Sequence, residues 1–415
     1  MVRLKGFTEL TPIEKALELF FRRVNPQKLE SELVPVQNAY GRVVAKDVIA
    51  KTDLPPFDRS AVDGYAVKAE STFGASPFQP KTLKIVEKEV IGEGEAKPIW
   101  TGQPLPGGSD AVIMIEHTRK LNETEIAVLK AVAKWENVSS KGEDVKAGET
   151  AIKAGTRLKP QHLGLLAALG LEKVEVTRKP KVAIFATGNE LVELGKIPSK
   201  NQIIETNRLI ISWLCRELGA EPVDLGIVGD DETLIREKIL EGVEKADVVV
   251  STGGTSVGKA DLVPLSLRSI DSSSIIVHGM AMRPAMPTAL AVIKNKPVLV
   301  LSGNPVAAMI GFEVFARPLI LKMLGAEGET RPRLKAKITR QVAGVLGRKV
   351  FLRVKVYEKN GEFYADPIRT TGSGILTTMT KANGYVIIPE NREGLENGET
   401  VTVHVFDNIP KLNGA

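Results

Sequence analysis

Ala246-Asp247-Val248-Val249-Val250-Ser251, running into Thr252-Gly253-Gly254-Thr255-Ser256-Val257-Gly258-Lys259-Ala260-Asp261, decides how this chain is read. A short β-branched run that empties into a turn with three glycines and three hydroxyls is a buried strand followed by a loop able to admit a phosphate. A tight turn that simply requires glycine would look similar. The density of hydroxyls favours a ligand. Gly253 and Gly258-Lys259 match the spacing of a Walker A loop, but Ala260 stands where that loop needs a Ser or Thr hydroxyl for magnesium, which excludes a P-loop NTPase. Asp261, one residue on, can offer a metal oxygen instead.

Working outward, apolar β runs at 182–186, 223–228, 247–251 and 298–301 alternate with helical patterns at 206–218, 233–246 and 305–324. That alternation predicts a parallel α/β sheet covered by helices on both faces, with its ligand at the carboxyl ends of the strands. The other strand ends carry Thr187-Gly188-Asn189-Glu190, Gly229-Asp230-Asp231 and Ser302-Gly303-Asn304-Pro305. Each alone is an ordinary turn or helix cap. Together Glu190, Asp230 and Asp261 form an oxygen shell suited to magnesium.

On the amino-terminal side, Thr11-Pro12-Ile13-Glu14 reads as a capped helix start, and Ile13, Leu17, Phe20, Phe21 and Val24 as its apolar stripe. Residues 34–50 alternate in strand fashion. From Ala66 to about Glu149, short β segments at 83–86, 111–115 and 126–129 lie between Gly- and Pro-rich turns, predicting a β-rich domain. It contains two loops suited to rigid display, 57–65 around Asp63 and 100–110 around Thr101. Beyond Gly325, alternating β residues with turns at Lys359-Asn360-Gly361 and Glu396-Asn397-Gly398 predict a C-terminal β-barrel or sandwich.

Bulk composition narrows the function classes. The 415 residues are 43% hydrophobic and 26% charged, which predicts several globular domains. A net charge of +6 with interleaved signs argues against nucleic acid and is compatible with an anionic small molecule. No apolar run approaches the ~18 residues of a membrane span, and the polar start predicts a cytoplasmic protein. Cys215 sits in a helical pattern as a small apolar residue, and His117, His162, His278 and His404 lack ligand spacing. Chemistry must therefore rest on carboxylates, hydroxyls, lysines and backbone amides.

Six motifs occur in one order: 57–66 (Phe-Asp-Arg-Ser-Ala-Val-Asp-Gly-Tyr-Ala), Thr101-Gly102 with Leu105-Pro106 and Asp110-Ala111-Val112, Gly142-Glu143-Asp144, Thr187 to Leu191, Ser251 to Asp261, and Gly303-Asn304-Pro305-Val306. The set resembles the molybdopterin molybdenumtransferase family, the MoeA-type proteins and the E domain of gephyrin. The resemblance implies a multidomain α/β protein: an elongated discontinuous domain (1–45 plus 150–176), a β-rich domain (46–149), a molybdopterin-binding α/β domain (177–326) and a C-terminal β-barrel (327–415). It also implies a homodimer and a magnesium-dependent reaction placing molybdate or tungstate on adenylylated molybdopterin with release of AMP, with transient contact to a molybdopterin adenylyltransferase.

Carried over by position, Asp63, Thr101, Glu190, Asp230 and Asp261 would be catalytic, and Asp63, Asp144, Glu190, Asp230 and Asp261 would serve the metal. Thr252, Gly253, Gly254, Ser256, Gly258, Arg283, Gly303, Asn304, Pro305 and Ser373 would bind the pterin or nucleotide. Around Arg283 the chain departs from the family, with Met286 and Gly279 where relatives carry lysines, so tungstate in place of molybdate stays open. The alternatives are a non-catalytic molybdopterin-binding scaffold and an adenylyltransferase; the Asp63 and Thr101 loops and the C-terminal β-domain argue against the latter.

Overall fold

The computed structural model of the protein describes residues 9–255, 262–271, 273–369 and 372–411. Ser256, Gly258 and Asp261, three of the expected site residues, lie outside the described residues. The chain divides into two compact units. One is formed by Leu33–Tyr40 and Val44–Glu175, the other by the remainder.

The second unit is built on a six-stranded sheet running Glu221–Val228, Lys181–Thr187, Val248–Thr252, Lys296–Leu301, Ala289–Ile293, Ser273–His278. The first four strands are parallel, as expected, but the last two pair antiparallel. The Lys294-Asn295 turn, with both residues at positive φ, folds Ala289–Ile293 directly back onto Lys296–Leu301. This hairpin extends the sheet without a crossover helix, so helix–strand alternation could not announce it.

Two-sided burial explains the apolar runs. Along Lys181–Thr187, Val182 and Ile184 enter one core with Ile211 and Cys215 of the helix Asn207–Glu217. Ala183 and Phe185 enter the opposite core with Ile235 and Ile239 of the helix Glu232–Lys245. Period-two side chains thus bind a helix layer to each face. Cys215 is fully buried, and that burial pushes its thiol up to about 12, consistent with a core residue and not a nucleophile.

The helix near the amino terminus spans Ile13–Val24 and buries Ile13, Ala16, Phe20 and Val24 in the first of these cores. Its start differs from the expected cap. Pro12 occupies the boundary with no side-chain cap bond, while the Thr11 backbone pairs with Gly279 and Ala281, and Glu14 turns to Lys349. Tertiary partners displaced the local motif. Residues 34–50 likewise form only short strands, Ser31–Pro35 and Val48–Ile49, around a 3-10 turn.

The C-terminal part of this unit closes into a five-stranded barrel: Lys349–Lys359, Glu362–Arg369, Arg333–Ile338, Thr400–Val405 and Gly384–Ile388, with the last pairing back onto the first. Asn360 and Gly361, both at positive φ, make the tight hairpin their sequence predicted.

The first unit holds its own six-stranded sheet, ordered Ala111–Met114, Gly64–Val67, Glu95–Ile99, Lys81–Ile85, Glu125–Val128, Thr118–Asn122, over a core containing Val67, Leu83, Ile113 and Ile126. Among the described residues no helix is long and apolar enough to cross a membrane.

Candidate functional site

At the carboxyl ends of the four parallel strands lies a cleft of about 740 Å³. All four strand-end turns picked out from the sequence line it: Thr187, Gly188 and Glu190; Asp230; Thr252, Gly253, Gly254 and Thr255; and Ser302, Gly303, Asn304 and Pro305. Parallel strands bring their carboxyl ends to one edge, so four turns distant in sequence share one wall.

The glycine turn is shaped by contact distance. Gly253 has φ 90° and a Cβ there would sit 2.5 Å from the Thr187 carbonyl oxygen; Gly254 has φ 64° and a Cβ there would meet Val263 Cγ2 at 2.6 Å. Neither position admits a side chain. The Gly253 amide, expected to face a phosphate, instead donates to the Leu301 carbonyl at 3.1 Å. Hydroxyls are what the turn leaves available. Thr187 Oγ1, Ser251 Oγ and Thr252 Oγ1 are buried at the strand ends without a hydrogen-bond partner among the described residues. Orphaned buried hydroxyls are costly, so their gathering beside a cleft marks a place where a polar ligand or water completes them.

Glu190 and Asp230 are both exposed on the cleft wall. Asp230 and Asn189 are tied reciprocally, the Asn189 amide donating to Asp230 Oδ2 at 3.2 Å and the Asp230 amide to Asn189 Oδ1 at 3.1 Å. The Glu190 carboxylate folds back over Gly188, where a Cβ would lie 2.6 Å from Oε2. Among the described residues no group of three metal-ligating side chains gathers. Two carboxylates still fit magnesium, which is commonly held by one or two carboxylates with water and substrate phosphate oxygens completing the shell.

Several wall residues escaped sequence reasoning. Glu205 accepts from the backbone N–H groups of Asn207 (2.6 Å) and Arg208 (3.0 Å), so a carboxylate, not the Thr206 hydroxyl, caps the helix. Arg208, 7% exposed, joins Glu205 (3.1 Å), Asp224 (2.6 Å) and Glu193. Burial disfavours its charge, but these carboxylates hold its pKa above the ordinary arginine value. Asn207 donates through Nδ2 to the Gly303 carbonyl at 2.7 Å. Glu205-Thr206-Asn207-Arg208 reads in sequence as a polar helix start, and nothing local shows that it closes a cleft.

A second pocket, about 270 Å³, adjoins the first and shares Met286, Pro287, Ser302 and Asn304 with it. Arg283 and Ser373 line it as expected residues, and Arg348 and Arg353 join them. Arg353 is 2% exposed, on a barrel strand. No carboxylate lines this pocket among the described residues. Three guanidinium groups on the wall of one pocket favour an anion. An arginine inside the run Val350-Phe351-Leu352-Arg353-Val354 was the available sequence signal.

In the other unit, Asp63 and Thr101 come from loops that meet, and Asp144 lies on a separate loop. The Thr101 backbone N–H and hydroxyl donate to Asp63 Oδ1 at 2.7 and 2.8 Å, holding the exposed Asp63 carboxyl below the usual carboxylate range. Ser60 exchanges backbone bonds with Gly102 and Gln103, and Ala61 donates to Asn137. Asp144 is exposed, its amide bonded to the Leu54 carbonyl at 3.0 Å.

A parallel-sheet cleft lined by hydroxyls, beside an arginine pocket and joined to a C-terminal barrel, defines a multidomain α/β protein whose cleft suits an anionic small molecule. Comparisons with known proteins make this specific. Residues 11–170 match the MoeA N-terminal region (domain I and II), 183–322 the probable molybdopterin binding domain, and 335–406 the MoeA C-terminal region (domain IV). The chain is 36% identical to a putative molybdopterin biosynthesis protein of Methanocaldococcus jannaschii, covering 97% of this chain and 100% of that one. It is 32% identical to the molybdopterin molybdenumtransferase of Haemophilus influenzae, covering 92% and 96%. The crystal structure of the molybdopterin biosynthesis moeA protein from Pyrococcus horikoshii superposes with a TM-score of 0.82 at 34% identity, covering 96% and 100%. The chain belongs to the molybdopterin molybdenumtransferase family.

Proposed function

We infer that this chain is a molybdopterin molybdenumtransferase that binds adenylylated molybdopterin in the cleft, accepts molybdate or tungstate, and releases AMP. The observation that carries this reading is the set of unpartnered buried hydroxyls, Thr187, Ser251 and Thr252, beside a pocket lined by Arg283, Arg348 and Arg353. The relatives' names and the matching domains support it.

The hydroxyls and the Gly253-Gly254 turn would seat the pterin phosphate or nucleotide, with Gly303, Asn304 and Pro305 closing the opposite wall. Arginines and Ser373 would neutralise and orient the tetrahedral oxyanion, fixing it near the dithiolene sulfurs. Glu190 and Asp230, with Asp261, would hold magnesium, which when bound polarises the phosphoanhydride. Asp63, Thr101 and Asp144 complete the proposed set through a homodimer, and Ser256 and Gly258 through the phosphate turn. Exposed Leu209 and Trp213 on the helix Asn207–Glu217 support dimerisation, since neighbouring exposed apolar side chains mark interaction surfaces.

The four-part domain division, a cytoplasmic location and a transient encounter with an adenylyltransferase belong to the same reading. Against the scaffold alternative, Arg348 and Arg353 add cationic groups beside Arg283, near where Met286 and Gly279 stand in place of lysines. The test is incubation with adenylylated molybdopterin, magnesium and either oxyanion, with AMP followed by chromatography. AMP release is expected; none with either oxyanion rejects the assignment.

A further inference from the structure

Asn207 lies on the cleft wall, 6% exposed, at the first turn of the helix Asn207–Glu217. Its two side-chain atoms have different fates. Nδ2 donates to the Gly303 carbonyl at 2.7 Å, a contact that only the amide nitrogen can make and that therefore fixes which end is oxygen. Oδ1 is buried and has no hydrogen-bond partner among the described residues. An oxygen so placed can only accept.

The backbone beneath it is held at both sides. Glu205 takes the Asn207 amide hydrogen, and Arg208 binds Glu205, Glu193 and Asp224 at once. The preceding excursion is tied into this cluster by the parallel pairing of Leu191–Val192 with Ile203–Ile204. Asn207 therefore cannot turn its oxygen elsewhere without releasing Gly303. Around it, Thr187 and Thr252 hydroxyls can serve phosphate or carbonyl oxygens by rotating their protons, whereas Asn207 Oδ1 cannot accommodate an acceptor at all.

We propose that Asn207 is a specificity-determining residue of the cleft, whose orphaned Oδ1 accepts a hydrogen bond from an N–H group of the bound heterocycle. The inference rests on the reading of the cleft as the adenylylated molybdopterin site, and that ligand offers such donors on both of its heterocycles, the amine and ring N–H groups of the pterin and the amine of the adenine. A buried acceptor built to receive a donor discriminates strongly against ligands lacking it, because the mismatch leaves the oxygen unpaired. A fully deprotonated oxyanion, which offers no donor, would not satisfy Asn207.

The test uses the full chain and measures equilibrium binding of nucleotide-free molybdopterin and of AMP separately, for wild type, Asn207→Ala and Asn207→Asp, at high ionic strength to screen the added charge. Asn207→Ala is expected to weaken one of the two ligands by about tenfold while leaving the other within about twofold, which also tells which heterocycle is bound. Asn207→Asp keeps an acceptor but loses the donor to Gly303, so it should recover most of the lost affinity if acceptance is the role. Unchanged binding of both ligands in Asn207→Ala overturns the proposal. So does equal weakening of both ligands in both variants, the pattern of a residue that merely holds Gly303. Wild type binding neither ligand rejects the underlying site assignment itself, a result distinct from either.

Discussion

The α/β cleft and the Asp63 loop hold their polar groups in opposite states. At the cleft, Thr187 and Thr252, with Ser251 behind them on the strand, are buried with hydroxyls that have no partner among the described residues. In the loop, Asp63 is exposed and already receives both the amide and the hydroxyl of Thr101. The difference teaches how each group is positioned. Burial between packed strands fixes the cleft hydroxyls with or without a hydrogen bond, whereas an exposed carboxylate has only its own turn to hold it. The first arrangement waits for a ligand, and the second is complete beforehand.

The comparison can be broken most severely at the turn that shapes the cleft. Gly253→Ala forces a Cβ against the Thr187 carbonyl at positive φ. We expect a loss of about 3 kcal/mol in urea denaturation, combining backbone and overpacking costs. A loss below about 1 kcal/mol would show that the turn yields, contrary to a cleft rigid by packing.

Next in size is the buried charge behind the wall. Arg208→Met leaves the Glu205 carboxylate, 3% exposed at its side chain, without its cation. Removing one partner of a buried pair costs about 3 kcal/mol, again readable by denaturation. Stability equal to wild type would mean that the cluster is solvated in solution.

Glu190→Gln tests the exposed wall, where the side chain supports no core. Folding should be unchanged while AMP release slows roughly 100-fold, as expected when a charge-stabilising group is lost. Full turnover in this variant removes Glu190 from the reaction.

The smallest effect is expected in the exposed loop. Thr101→Val keeps the backbone donor to Asp63 and deletes the hydroxyl, so the Asp63 titration followed by NMR should move upward towards the ordinary carboxylate range. Because the wild-type carboxyl is depressed, its contribution to stability is present above the ordinary carboxylate value and is lost as pH falls through the folded value. The wild-type and variant melting curves should therefore differ at neutral pH and converge in acid. A difference that grows on acidification contradicts the geometry.

Much of the fold was legible because its signals are local. The run Val248–Thr252 and its neighbours are apolar on both faces, which only a strand between two helix layers requires. The four strand-end turns were legible for the same reason, since a parallel sheet gathers carboxyl ends whatever the sequence distance. The antiparallel hairpin Ala289–Leu301 was not, because a short turn leaves no helical period to read. The Thr11 cap failed because Gly279 and Ala281, far along the chain, took its backbone groups.

What the sequence determined by itself is therefore the parallel sheet, the glycine turn at 252–255 and the identity of the carboxylates at the strand ends, all set by residue type and short-range period. Tertiary structure alone decided that Asn207 lines the cleft and that Arg348 and Arg353 line the adjoining pocket, that the Gly253 amide is already bonded, and that the buried hydroxyls have no partner among the described residues. The physical reason is that hydrogen-bond satisfaction and burial belong to pairs of groups brought together by folding. A residue's type can state what it is able to bond, and only its neighbours in space determine whether it does.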